Sequence, residues 1–196
     1  MTTLPGPLGM NEQEESDQVR DVYAHFGLAI YLAQCIEQSI FQHLLFLDHF
    51  PKAIASYTTR EAWVSSFDEF ESRQLSQTMG KLISRLREVG QPTESIEAQL
   101  SQALKQRNWL VHGYFSERAV EFTQPSGCQS MIVELEAIQS LFLKSAEQID
   151  ALTMLVAKRY GLSEERLAEM IERMTNQKAE LSPNPSSGAP AVGKAM

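Results

Sequence analysis

The chain has 196 residues, 43% of them apolar, and its 17 Lys and Arg against 25 Asp and Glu give a formal charge of −8. That length supports one domain with a hydrophobic core, or at most two small ones. The acidic balance argues against a protein that coats duplex nucleic acid or anionic membrane, while leaving room for a local basic pocket for one phosphate.

Residues 1–11 are rich in Pro and Gly and read as loose, with no basic region and apolar run of the secretory kind. From about residue 12 to 48, Val19, Val22, Tyr23, Phe26, Ile30, Ala33, Ile36, Ile40, Phe41 and Leu44 recur in steps of three and four, the helix period. Pro51 follows and disfavours helical geometry at Phe50. Thr58 and Glu61 have capping-box spacing and announce a second helix. Its stripe is Phe67, Phe70, Leu75, Met79, Leu82, Ile83, Leu86 and Val89, and its length of roughly 30 residues exceeds the usual. Gly90 and Pro92 close it.

A third helix begins near Thr93 with Ile96, Leu100, Ala103, Leu104 and Val111 on one side. Residues 116–130, with Pro125 and Gly127, read as a loop holding a short extended piece at 119–123. A fourth helix over about 131–159 carries Ile132, Leu135, Ile138, Leu141, Phe142, Ala146, Ile149 and Leu152. Gly161 is its expected stop and Ser163 the expected cap of a last helix, 164–179. The expectation is an all-α antiparallel helical bundle forming a single domain over 12–179, with an extra C-terminal helix and a disordered tail at 180–196. No stretch reaches the roughly 18 apolar residues of a membrane span. Cys35 and Cys128 match no metal or redox spacing. Both features fit a cytoplasmic chain with reduced thiols.

The third helix ends in "QRNWLVHGYF", residues 106–115, which sets polar groups in an apolar and aromatic run. On a wheel at about 100° per residue, Arg107 falls between Ile96 and Leu100, inside the apolar stripe. Desolvating a guanidinium is expensive, so Arg107 either pairs with an internal carboxylate or lines a pocket or interface. Asn108 and His112 are four apart and share a neighbouring face. Gly113 offers room for close approach, and Tyr114 adds a hydroxyl. Arg107 and His112 lie about 7.5 Å apart along the axis and roughly 140° around it. A curled arginine or a symmetry mate is therefore needed to bring the two groups together. Fixed donors from an Arg and a His that titrates near neutral pH are the parts that phosphodiester cleavage needs.

Arg107, four residues, then His112, with Asn108 after the arginine, resembles the signature of HEPN domains. "RNWLVHGY" is similar to the version in HEPN toxins paired with a minimal nucleotidyltransferase antitoxin. The resemblance implies a helical-bundle homodimer with the two motifs facing each other. It also implies metal-independent cleavage of RNA with no cofactor, in which Arg107, Asn108 and His112 are the catalytic residues. Its further implications are a nucleotidyltransferase-type antitoxin or another regulator as partner, and Tyr114 as the modified, regulatory residue. Some members of the wider family are binding or scaffolding modules, so a non-catalytic interaction or nucleotide-binding role is the alternative. Elsewhere no His, Cys or acidic spacing suggests a metal site. Trp63 and Trp109 read as core or interface aromatics rather than base-stacking platforms. Lys105, Arg107 and Arg118 form the basic neighbourhood of the motif.

Overall fold

Within residues 12–91 and 94–181, which the computed structural model describes, every regular element is helical. The first helix, α1 (Glu12–Leu44), passes through a π-helical turn (Leu45–His49) into α2 (Phe50–Ala55). The break expected at Phe50 is absent: its φ of −58° and ψ of −45° are helical, and its N–H donates to the Leu45 carbonyl. Pro51 has no N–H to give and its ring collides with the carbonyl ladder of a regular helix. A wider turn immediately before it loosens that ladder.

The single long second helix is in fact two, α3 (Arg60–Leu75) and α4 (Met79–Glu88). At the join the Ser76 hydroxyl donates to the Arg73 carbonyl at 2.8 Å, and the Gln77 side chain donates to the same oxygen at 3.1 Å. Polar side chains thereby replace the backbone as donors and end the helix. Leu75, expected on the buried stripe, is 62% exposed. The cap of α3 is Thr59 rather than Thr58, its hydroxyl oxygen accepting from the Ala62 N–H at 3.2 Å.

Next come α5 (Glu94–His112), the short α6 (Tyr114–Glu117), a 3-10 turn (Glu121–Thr123) and α7 (Pro125–Ala157). The expected loop is thus mostly helical, and the extended piece at 119–123 is a helical turn instead. Gln124 is extended, at φ −129° and ψ 137°. Pro125 then starts α7, where its missing N–H costs nothing. Gly127 belongs to the first turn of α7. A Cβ there would lie 2.0 Å from the Glu121 carbonyl oxygen, so the 3-10 turn can sit against α7 only over a glycine.

The core is filled by Val22, Ala29, Ile36, Ile40 and Leu44 of α1, Met79, Leu82, Ile83 and Leu86 of α4, Leu100, Ala103 and Leu110 of α5, and Met131, Leu135, Phe142 and Ile149 of α7. Leu110, not Val111, takes the last inward position of α5, and Val111 is 48% exposed. Glu37 meets Arg107 while Phe26 meets Tyr114, so α1 and α5 run in opposite senses. Gln99 meets Ser145 while Tyr114 meets Met131, so α5 and α7 are also opposed. His25 with Gln139 and His43 with Thr153 show α1 and α7 running in the same sense. The bundle is therefore antiparallel about α5 but not between its two longest helices.

The chain divides into two compact units, Met1–Val156 and Ala157–Met196. In the second, a 3-10 turn (Lys158–Tyr160) ends at Gly161, whose φ of 74° is left-handed, as its reading as a stop requires. The Ser163 hydroxyl oxygen accepts from the Arg166 N–H at 3.2 Å and caps α8 (Glu164–Leu181). The expected loose segment 1–11 and residues 182–196 of the expected tail lie outside the described residues. Among the described residues no helix is long and apolar enough to cross a membrane.

Candidate functional site

The motif occupies the last turns of α5, whose end is fixed by an aromatic cluster. Tyr114 stacks on Phe26 at 5.8 Å between centroids and meets the edge of Trp109 at 5.0 Å. Phe115 packs on Phe26 at 4.9 Å and on Tyr23 at 5.5 Å. A Cβ on Gly113 would lie 3.3 Å from Trp109 Cδ1 and 3.0 Å from a Glu117 carboxylate oxygen. The glycine thus lets the indole fold back over the end of the helix.

Arg107 is half-buried, and its Nη2 lies 3.7 Å from Glu37 Oε1 of α1. Its Nη1 donates to Asn108 Oδ1 at 3.3 Å. Both distances are long for charge-assisted bonds, so the guanidinium is held loosely and retains unused donors. Asn108 and His112 are exposed. Arg107 and Asn108 are brought together by that hydrogen bond, whereas His112 hydrogen-bonds to neither among the described residues.

Tyr114 is 1% exposed, and its hydroxyl donates to the Met131 carbonyl at 3.2 Å. Burial pushes this phenol well above its ordinary value, the Glu134 carboxylate adds to the effect and Arg118 opposes it. Transfer of a group to this oxygen requires α6 to lift from α7.

A groove of about 500 Å³ runs between α5 and α7, bounded by Gln102, Lys105, Gln106 and Trp109 on one side and Glu134, Ala137, Ile138 and Leu141 on the other. Arg118 also lines it, with Cζ 5.1 Å from the Trp109 ring centroid. Its guanidinium grips Glu134 with two bonds of 3.0 and 2.7 Å. Sequence reasoning placed Lys105 and Arg118 near the motif but missed Gln102, Glu134 and the groove. The available signal was the spacing 102, 105, 109, 112, a single helical stripe that ends in His112.

The His25 carbonyl accepts from Gln139 of α7 at 2.9 Å, while His43 and His49 are buried. The His43 ring is buried and its Nδ1 lies 3.1 Å from Thr153 Oγ1, whose own proton goes to the Ile149 carbonyl at 2.8 Å. The bond to Thr153 therefore places the ring proton on Nδ1, and His43 Nε2 is buried with no hydrogen-bond partner among the described residues. His49 stacks on Phe70 at 4.6 Å. No group of three or more His, Cys, Asp or Glu able to hold a metal ion occurs among the described residues. Comparison of the chain with family models, curated proteins and solved structures gives no match.

Proposed function

We propose that the protein is a cytoplasmic, HEPN-type endoribonuclease, active as a homodimer and acting as a toxin or defence effector. The observation that carries this reading is the exposed His112 at the end of α5, one turn beyond an Arg107–Asn108 pair whose guanidinium keeps unused donors. In the reaction the 2′-oxygen of RNA forms a bond to phosphorus, and the bond from phosphorus to the 5′-oxygen breaks. One histidine takes the 2′-proton and another supplies the proton to the leaving oxygen. Arg107 stabilises the charge that builds on the phosphate oxygens, and Asn108 steadies the guanidinium. No metal takes part in these steps.

Two observations support a dimer. Within one protomer Arg107 and His112 point roughly 140° apart around α5, so a second copy supplies the complementary groups. Val111 is an apolar side chain 48% exposed on α5, one position before His112 and about 40° around the helix from Arg107. A partner antitoxin of nucleotidyltransferase type would control the enzyme by covering this face or by modifying Tyr114 once α6 opens.

The deciding experiment is cleavage of single-stranded RNA in excess EDTA, with 2′,3′-cyclic or 3′-phosphate ends as product. His112→Ala should lower the rate by about 10²–10⁴. Arg107→Lys should stay folded and dimeric yet lose most activity, because it keeps the charge and loses the planar fork. The second reading, a non-catalytic nucleotide-binding or interaction module, is favoured by Glu37, which partly neutralises Arg107. A folded dimer that binds RNA without cutting any of several sequences would select it.

A further inference from the structure

We infer that the groove between α5 and α7 is a binding site for one nucleotide unit, with its base against Trp109 and its phosphate on Lys105. This rests on the RNA-directed reading above and names where the strand lies.

The groove's volume of about 500 Å³ lies within the range of small-ligand sites. Its wall combines the three things a nucleotide uses. Trp109 supplies an aromatic surface, the amides of Gln102 and Gln106 supply paired donors and acceptors for a base edge, and Lys105 supplies a cation. Lys105 is exposed and forms no ion pair among the described residues, so its charge is available. Arg118 is committed to Glu134 at 2.7 Å and lies over the indole inside the groove, so a base there stacks on the guanidinium plane as well as on the part of the ring that Arg118 leaves.

Placement ties the groove to the motif. Lys105, Trp109 and His112 follow one another at i, i+4 and i+7, one stripe of α5. His112 stands about 60° around the helix and about 4.5 Å along it from Trp109, whereas Arg107 is about 160° from Trp109. His112 therefore lies just beyond the groove on the same stripe, without lining it, and a nucleotide held in the groove presents its neighbouring phosphate toward that turn. The shared chemistry, a base with a phosphate, belongs equally to a free mononucleotide and to a unit within a strand.

Combining Trp63→Phe with His112→Ala leaves Trp109 as the sole tryptophan and slows cleavage by about 10²–10⁴. Its emission is titrated with AMP and, separately, with a short single-stranded oligoribonucleotide. Saturable quenching by either, weakened at least about tenfold by Lys105→Glu in the same background, supports the site. Quenching by AMP alone assigns the groove to a free nucleotide, and quenching by the oligonucleotide, with or without AMP, assigns it to the strand. In the otherwise native protein, Lys105→Glu should raise KM for RNA about tenfold and change kcat by less than about threefold. Emission indifferent to both ligands, or binding and KM indifferent to Lys105→Glu, overturns the inference even if the protein cuts RNA. Quenching by AMP in a protein that cuts no RNA retains the site and rejects the nuclease.

Discussion

Arg107 of α5 and Glu37 of α1 face each other at 3.7 Å, both half-buried, across the seam where the two helices run in opposite senses. The carboxylate competes with any phosphate for the guanidinium. In Glu37→Gln the arginine carries an uncompensated charge, so RNA should bind more tightly and with a salt dependence steeper by about one phosphate contact. Stability should change by less than about 1 kcal/mol, since so long and partly solvated a pair contributes little. Binding measured at several salt concentrations checks both points. Weaker binding would mean that Glu37 serves to hold Arg107 in place.

His43 makes stability depend on pH. Burial holds this ring below the ordinary histidine value, because a second proton would sit on Nε2 with no acceptor. The unfolded chain then binds the proton at a higher pH than the folded one. Stability is fully present above about pH 6.5 and falls as pH drops below it, by at most about 1.4 kcal/mol per unit for one such group. Urea midpoints at pH 7.5 and 5.5 should differ, and His43→Gln should shrink the difference. His49, also held low chiefly by burial, accounts for part of what remains.

Two glycines should respond oppositely to alanine. At Gly127 the added methyl meets a backbone carbonyl at 2.0 Å, and Gly127→Ala should cost about 1–3 kcal/mol or more. At Gly27, within α1, no heavy atom lies within 4 Å of the new Cβ, and Gly27→Ala should gain about 0.5–1 kcal/mol. Thermal melts of the two variants give the comparison directly.

Burial of Tyr114 sets the order in which tyrosines react. Nitration followed by mass spectrometry should modify Tyr57 and Tyr31, at 59% and 60% exposure, well before Tyr114 at 1%. Tyr114→Phe should cost about 0.5–1.5 kcal/mol through loss of the bond to Met131. Early nitration of Tyr114 would mean that α6 opens readily and that its oxygen is open to a modifying enzyme.

The helices were legible in the sequence because Val22, Ile36, Ile40 and Leu44 repeat with the helix period and all are buried. Their interruptions were less so. Leu75 faces outward because Gln74, four after the buried Phe70, takes the last inward position of α3, and the helix ends where Ser76 and Gln77 divert the Arg73 carbonyl, neither of which hydrophobic spacing records. Pro125 and Gly127 suggest a loop equally well as a helix start, and only the contact with Glu121 distinguishes them. At the site, the pairing of Arg107 with a carboxylate was foreseeable from the cost of burying its charge, but the identity of Glu37 was not. Glu134 joins Arg118 through the register of α7 against α5, which one sequence does not encode in any local pattern.

The π-helical turn at Leu45–His49 places one residue more in the helix than a regular backbone needs. Deleting a single residue within it restores an ordinary α-helix, and because four α-helical residues turn about as far as five in the wider turn, everything that follows keeps its phase. Asp48, which accepts from Lys52 at 2.5 Å and from Arg85 at 2.7 Å, is the residue of the turn that such a deletion should spare. The surplus residue acts as slack taken up in one wide turn, so a frame-preserving deletion of Leu47 should leave α2 seated and the helical content nearly intact.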